Sequence, residues 1–357
     1  MLRNIVFFIV WLLFSSHVHG AQFEGVPFKK ADPEDEKAIE EDVFSLLKID
    51  EKSEEILDAL LRDQIGGLFT ENTSSSHYLE EELHFTTART IRNTYSENQF
   101  RADRLYTDKL LFLKGIVEKI GLGEKGQPVI EFRTGSTLSN TIAYLREEHE
   151  DTAIEFNRGE TIDLLCVGGG LTGFYSNPTL YDCIPKADAI EYYFHEAKEA
   201  VFAQPSPKYP INLDVYAWSW TLLSKETVLL GGYEACAGEA GKSCRQFMDT
   251  NVNKFGFRAF TKLGRVLEYL LLSDKDAFLQ LMEVSENSSL RMKSLPACEL
   301  VWASVGLSLA QKAGYELDKL PESKIPFREL YENNREFKKV VNELKDSCPE
   351  ETKEFLK

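Results

Sequence analysis

Between Leu110 and Ile184 the chain carries five stretches of strand-forming residues, interrupted once by a helical stretch after the third. That order restricts the available folds more than any other feature of the sequence. LLFLKGIVEKIG comes first, and EKGQP, with turn composition, follows it. VIEFRT alternates apolar and polar residues with period two, and SNTIAYL supplies a third strand. REEHEDTAIEF reads as the helical interruption, and TIDLLCVGG and PTLYDCI give the last two strands. Residues 84–106 read as one helix ahead of the strands, with Ile91, Tyr95, Ala102 and Leu105 on its buried side. Gly115 falls midway along the long first strand, where a closed sheet must bend and a residue without Cβ eases the kink.

Five strands with a helix between the third and fourth is the order of an OB-type barrel. Two stretches carry a more specific likeness: YSENQFRADRLYTDKLLFLKGIVEKI and NRGETIDLLCVGGGLTGFYSNPTLYDC. Through Tyr95, Asn98, Ala102, Asp103, Tyr106, Lys109, Gly115, Val117 and Ile120, and later Gly159, Cys166, Gly168, Pro178, Leu180 and Cys183, this region resembles the tRNA_anti-like family. That is an OB-fold family of exported bacterial proteins. The resemblance spans roughly residues 85–186. It implies a barrel and residence in the periplasm, but no activity, because one fold hosts many functions.

Four segments follow from the rest of the sequence. Residues 1–20, MLRNIVFFIVWLLFSSHVHG, have a basic start at Arg3, an apolar run from Ile5 to Phe14 and a polar end, the pattern of a secretory signal. The apolar run is shorter than the roughly 20 residues that span a bilayer. Later segments offer no comparable stretch, so no transmembrane segment is expected after signal removal. Residues 21–84 hold 18 acidic and 6 basic side chains, with helical spacing at Ile39, Val43, Leu46 and Leu47, then Ile56, Leu57, Leu60 and Leu61. Residues 85–186 form the barrel. Residues 187–357 show helical runs and no strand pattern. In YAWSWTLL, Trp218 and Trp220 stand two apart and face different sides of a helix, so both are buried only if that helix is central. The expected fold is therefore α+β: a five-stranded OB-type barrel flanked by an acidic helical segment and a mostly helical C-terminal domain.

All six cysteines, Cys166, Cys183, Cys236, Cys244, Cys298 and Cys348, follow the signal. An even count in an exported chain points to disulfides. None forms a CxxC pair, and no histidine stands at zinc-finger spacing from them, so no metal or other cofactor is expected. Cys166 alternates with Ile162 and Leu164 and faces the barrel interior, and Cys183 closes the last strand, so these two are expected to bridge. Cys236–Cys244 with Cys298–Cys348 is the simplest pairing of the other four, but three pairings remain open.

Catalytic patterns are absent. VGGGLTG lacks the Lys-Ser/Thr ending of a P-loop and leads into a strand; it reads as a flexible connection between the last two strands. His77, His84, His149 and His195 are scattered, with no HExxH, and no G-x-S-x-G elbow occurs. An enzyme is the lesser reading. Nucleic-acid binding wants a cationic groove with stacking aromatics. The barrel offers Arg133, Arg146 and Arg158 with Phe132, Tyr144, Phe174 and Tyr175, but a net charge of −17 opposes polyanions. Arg133, Tyr144 and Arg158 are the candidate ligand face. The favoured expectation is a periplasmic or secreted binding or adaptor protein, in one form an inhibitor or immunity-type protein whose acidic surface covers a basic protein partner. The alternatives are a carrier of a small molecule, glycan or oligonucleotide, and a hydrolase with an unrecognised site. Asn72 and Asn287 head glycosylation sequons, relevant only in a eukaryotic secretory route.

Overall fold

The computed structural model describes residues 43–69, 83–135, 140–172, 177–237, 242–288, 290, 296–314 and 327–355. The signal at 1–20, Ile39, Asn72, His77, Phe174 and Tyr175 lie outside the described residues. Contacts separate the chain into two compact units, residues 65–195 and the remainder on either side of them.

After a 3-10 helix, Val43–Leu47, come α1 (Glu51–Leu68), β1 (His84–Thr87), α2 (Ala88–Glu97), α3 (Gln99–Tyr106), β2 (Leu110–Leu122), β3 (Pro128–Phe132), β4 (Thr141–Leu145), α4 (Glu150–Glu155), β5 (Thr161–Thr172), β6 (Asn177–Pro185) and α5 (Lys186–Phe202). The sheet order is β1-β2-β3-β4-β6-β5, and β5 pairs back onto β2, so β2 to β6 close a five-stranded barrel. Within the barrel β2 serves two partners in turn. Its residues Leu110–Ile116 pair with β5, and Val117–Leu122 pair with β3. Gly115 sits at the change of partner, where a Cβ would come within 2.3 Å of the Phe132 ring.

Alternation along the strands fills the barrel. On β3 and β4 every second residue is buried: Pro128, Ile130 and Phe132, then Thr141, Ala143 and Leu145. Leu111, Leu113, Val117, Ile162, Leu164 and Leu180 complete the core with Cys166 and Cys183. Each large apolar side chain so buried contributes about 1.5–3 kcal/mol. Cys166 and Cys183 are bonded to each other, with Cα atoms 4.2 Å apart.

The stretch 84–106 is not one helix. His84–Thr87 forms β1, parallel to β2, and two helices follow. Local hydrogen bonds explain the breaks. Thr87 Oγ1 accepts from the Thr90 N–H at 3.0 Å and starts α2. Asn98 is extended; its N–H donates to Thr94 O while its side chain accepts from the Arg101 N–H. One residue thus ends α2 and caps α3. Ile91, Tyr95 and Ala102 are buried as the helical spacing predicts, but Leu105 is 40 % exposed.

The second unit continues with α6 (Val215–Leu229), α7 (Tyr233–Cys236), α8 (Lys242–Ser273), α9 (Lys275–Glu286), α10 (Ala297–Lys312), α11 (Phe327–Asn333), α12 (Arg335–Ser347) and α13 (Pro349–Phe355). The 3-10 helix and the first part of α1 belong to it. Lys198 on α5 bonds Asp58 at 2.7 Å and Glu54 at 3.0 Å, and Lys225 on α6 bonds the carbonyls of Leu46 and Lys48. α6 is buried on nearly all faces, Trp218 and Trp220 included. Cys236 bonds Cys244 and Cys298 bonds Cys348, which resolves the pairing of the last four cysteines.

Candidate functional site

Residues that alternate away from the barrel core form an outer face on β3, β4 and β6. Val129 and Glu131, then Ile142 and Tyr144, are half-buried there. Tyr144 lies flat against Tyr181 of β6, with ring centroids 5.2 Å apart and planes inclined by 12°. The stack has a specific floor. A Cβ on Gly169 of β5 would come within 2.1 Å of the Tyr181 ring, so only glycine lets that ring lie down on the sheet. Burial first, then the neighbouring Tyr181 and Glu124, raises the pKa of the Tyr144 phenol.

Arg133 and Arg158 meet at one carboxylate. Arg133 Nε donates to Glu118 Oε2 at 2.6 Å, and Arg158 Nη2 donates to Glu118 Oε1. The hydrogen bond from Arg133, then that from Arg158, holds the Glu118 pKa below its ordinary value. Lys119 pairs with Glu131 at 3.3 Å, and Arg146 approaches Glu148 at 3.8 Å. Each of the three arginines proposed from sequence therefore faces a carboxylate. The structure brings Arg133 and Arg158 together, and Tyr144 pairs with Tyr181 instead. Phe132 is fully buried and belongs to the core.

Glu118 and Tyr181 were not singled out from sequence. Their signal is weak but real: each stands among buried strand residues, where alternation turns a side chain outward. Which outward side chains meet is set by strand register, and a linear pattern does not contain it.

The glycine run is strand, not a flexible connection: β5 extends through Thr172. Gly168 N–H donates to Lys109 O at 3.0 Å, and Gly168 O accepts from the Asp108 N–H at 2.8 Å. A Cβ there would meet Tyr106 O at 1.8 Å. Gly168 is explained by this close backbone approach and its committed hydrogen bonds.

Among the described residues no group of three or more His, Cys, Asp or Glu side chains is placed to hold a metal ion. His149 Nδ1 lies 2.8 Å from Asp188, which also accepts from the Thr152 hydroxyl. In the helical unit two buried carboxylates have cationic partners: Glu226 with Lys262, and Glu268 with Lys312 at 2.6 Å. Burial alone would lower the Lys312 pKa, but Glu268 and Glu336 outweigh it and hold it raised. Among the described residues no helix is long and apolar enough to cross a membrane.

The family model described as tRNA_anti-like matches residues 1–184. No curated protein and no solved structure matches the chain.

Proposed function

Because the chain belongs to the tRNA_anti-like family, we propose that it is an exported binding or adaptor protein that uses its OB barrel to engage another protein. The observation that carries this reading is the Tyr144–Tyr181 stack on an outer face of the barrel, together with barrel arginines that already face carboxylates. Rigid tyrosine surface with compensated charge suits a protein interface, where aromatic anchors dominate the energetics and unpaired charge is disfavoured. A phosphate backbone would instead have to displace Glu118 from both arginines. The net charge of −17 favours a basic partner and would steer its approach, which fits an inhibitor or immunity-type role. Three disulfides suit an oxidising compartment, periplasmic or extracellular.

A carrier role is the second reading, because a stacked tyrosine pair also offers a flat surface to a sugar ring or base. Capture on the tagged mature chain from its native compartment, with mass spectrometry of what is retained, separates the two. A stoichiometric protein is expected on the native chain. It should be lost with Tyr144→Ala or Tyr181→Ala while the circular dichroism spectrum is unchanged. Recovery of a glycan or oligonucleotide in its place, or retention of the protein by both variants, would overturn the adaptor reading.

A further inference from the structure

A second surface on the barrel unit is built differently from the tyrosine face. β1 is the terminal strand of the sheet and pairs only with β2, through the register His84↔Leu111 to Thr87↔Lys114. Among the described residues no backbone hydrogen bond is made along its other edge. That edge opens into a groove of about 500 Å3 lined by His84, Phe85, Thr86, Thr87, Thr90, Leu105 and Tyr106. Every residue of β1 thus lines the groove, and Thr90 of α2 with Leu105 and Tyr106 of α3 supplies a helical wall. Thr86 Oγ1 is buried there without a hydrogen-bond partner. Leu105, displaced from the core, lies in this wall and is 40 % exposed.

The described segment that builds the groove is basic, unlike the chain as a whole. From β1 to the end of its pairing on β2, residues 84–114 hold six Lys and Arg against three Asp and Glu. In the whole chain Asp and Glu outnumber Lys and Arg, 58 to 41. Arg89, Arg101, Arg104 and Lys114 are exposed, and among the described residues none makes an ion pair. Arg101 stands one helical turn before Leu105, on the same stripe of α3. Lys114 is the register partner of Thr87.

We propose that this edge is a docking site for an extended acidic peptide segment of a partner protein, which adds as a strand to β1. Its main chain hydrogen-bonds to the edge of β1 away from β2, its alternate side chains enter the groove between β1 and Leu105, and its carboxylates meet Arg101, Arg104 and Lys114. A four-residue strand is ordinarily too short to invite pairing. The helical wall changes that, because it supplies side-chain contacts on the far side of an added strand. This surface does not depend on the tyrosine face, and each stands or falls separately.

The test uses the full mature chain and a fluorescein-labelled heptapeptide of alternating Glu and Val, followed by fluorescence anisotropy. Two control peptides carry Lys in place of Glu, or Pro at the centre. The Glu–Val peptide is expected to bind, with at least tenfold weaker binding for either control. Arg101→Glu with Arg104→Glu, both at exposed positions, should weaken it by a similar factor. Hydrogen exchange should slow at residues 84–87 when the peptide is added. Equal binding of the Pro or Lys peptide, no binding of the Glu–Val peptide, or protection that falls on β4 and β6 would overturn the proposal. So would an oligothymidylate that protects residues 84–87 where the peptide does not.

Discussion

The two units place their charge differently, although both carry exposed ion pairs, Arg328–Glu332 among those of the helical unit. In the barrel unit the ionised pairs stand on the outside: Glu118 with Arg133 and Arg158, and Lys119 with Glu131. In the helical unit carboxylates are buried: Glu226 is 1 % exposed, Glu268 4 % and Asp214 1 %. The geometry of the elements accounts for the difference. A strand has period two, so a barrel can give its charged residues outward positions without disturbing the core. A helix packed on all sides has no outward face. α6 is such a helix, and its Glu226 is held by Lys262 of α8. Buried pairs of this kind are costly to form and costlier to break, so they constrain packing more than they stabilise it.

The comparison is open to direct attack. The largest effect is expected from Trp218→Ala, which empties the centre of the helical unit and should cost about 3–5 kcal/mol. Trp220 and Trp302 remain in that unit, so urea unfolding followed by tryptophan fluorescence reads it directly. A loss below about 1 kcal/mol would mean that α6 is not central.

The disulfides come next. Replacing Cys298 and Cys348 by Ala opens a loop with sequence separation 50 in the helical unit, and replacing Cys166 and Cys183 opens one of 17 in the barrel. Chain entropy alone gives losses of about 4 and about 3 kcal/mol respectively. Hydrogen exchange at Leu111–Leu113 reports the barrel, and fluorescence the other unit. A larger loss in the barrel would show that its bridge does more than restrict the unfolded chain.

The smallest effect concerns pH and has opposite signs in the two units. Arg133, then Arg158, lowers the Glu118 pKa, so the folded state gains from its ionisation, and that gain is lost as pH falls through the lowered value. Burial raises the Asp214 pKa against the hydrogen bonds from Ser288 and Tyr216. Its contribution is therefore complete at pH below the unfolded value and is lost as pH rises through the raised one. Acidification from neutral pH should weaken the first and relieve the second. Carboxyl titration by NMR would show it, and Arg133→Ala should return Glu118 upward toward the ordinary 4.5. A Glu118 titration unchanged by that substitution would remove the two-arginine site.

Much of the barrel was legible because alternation is a local signal. VIEFRT and SNTIAYL place their buried residues where period two puts them, and Gly115 marks the bend. β1 and the Asn98 break escaped notice, since short stretches of Thr, Arg and Asn satisfy helical spacing equally well until a side chain caps the backbone. The candidate site was legible only in part. Arg133, Tyr144 and Arg158 were visible as residue types, but Glu118 lies 15 and 40 positions from the arginines it binds, and Tyr181 meets Tyr144 only through strand register.

By itself the sequence determined the order of the five barrel strands and the inward and outward sides of each, because these follow from neighbours within a few residues, and its composition supplied an even set of cysteines. Tertiary structure alone decided which cysteines among the last four are bonded and that the acidic helix α1 joins the downstream helices through Lys198. It also decided that the barrel's candidate arginines are held by carboxylates. Those outcomes depend on distances between residues far apart in the chain, and closing such distances is a property of the whole fold.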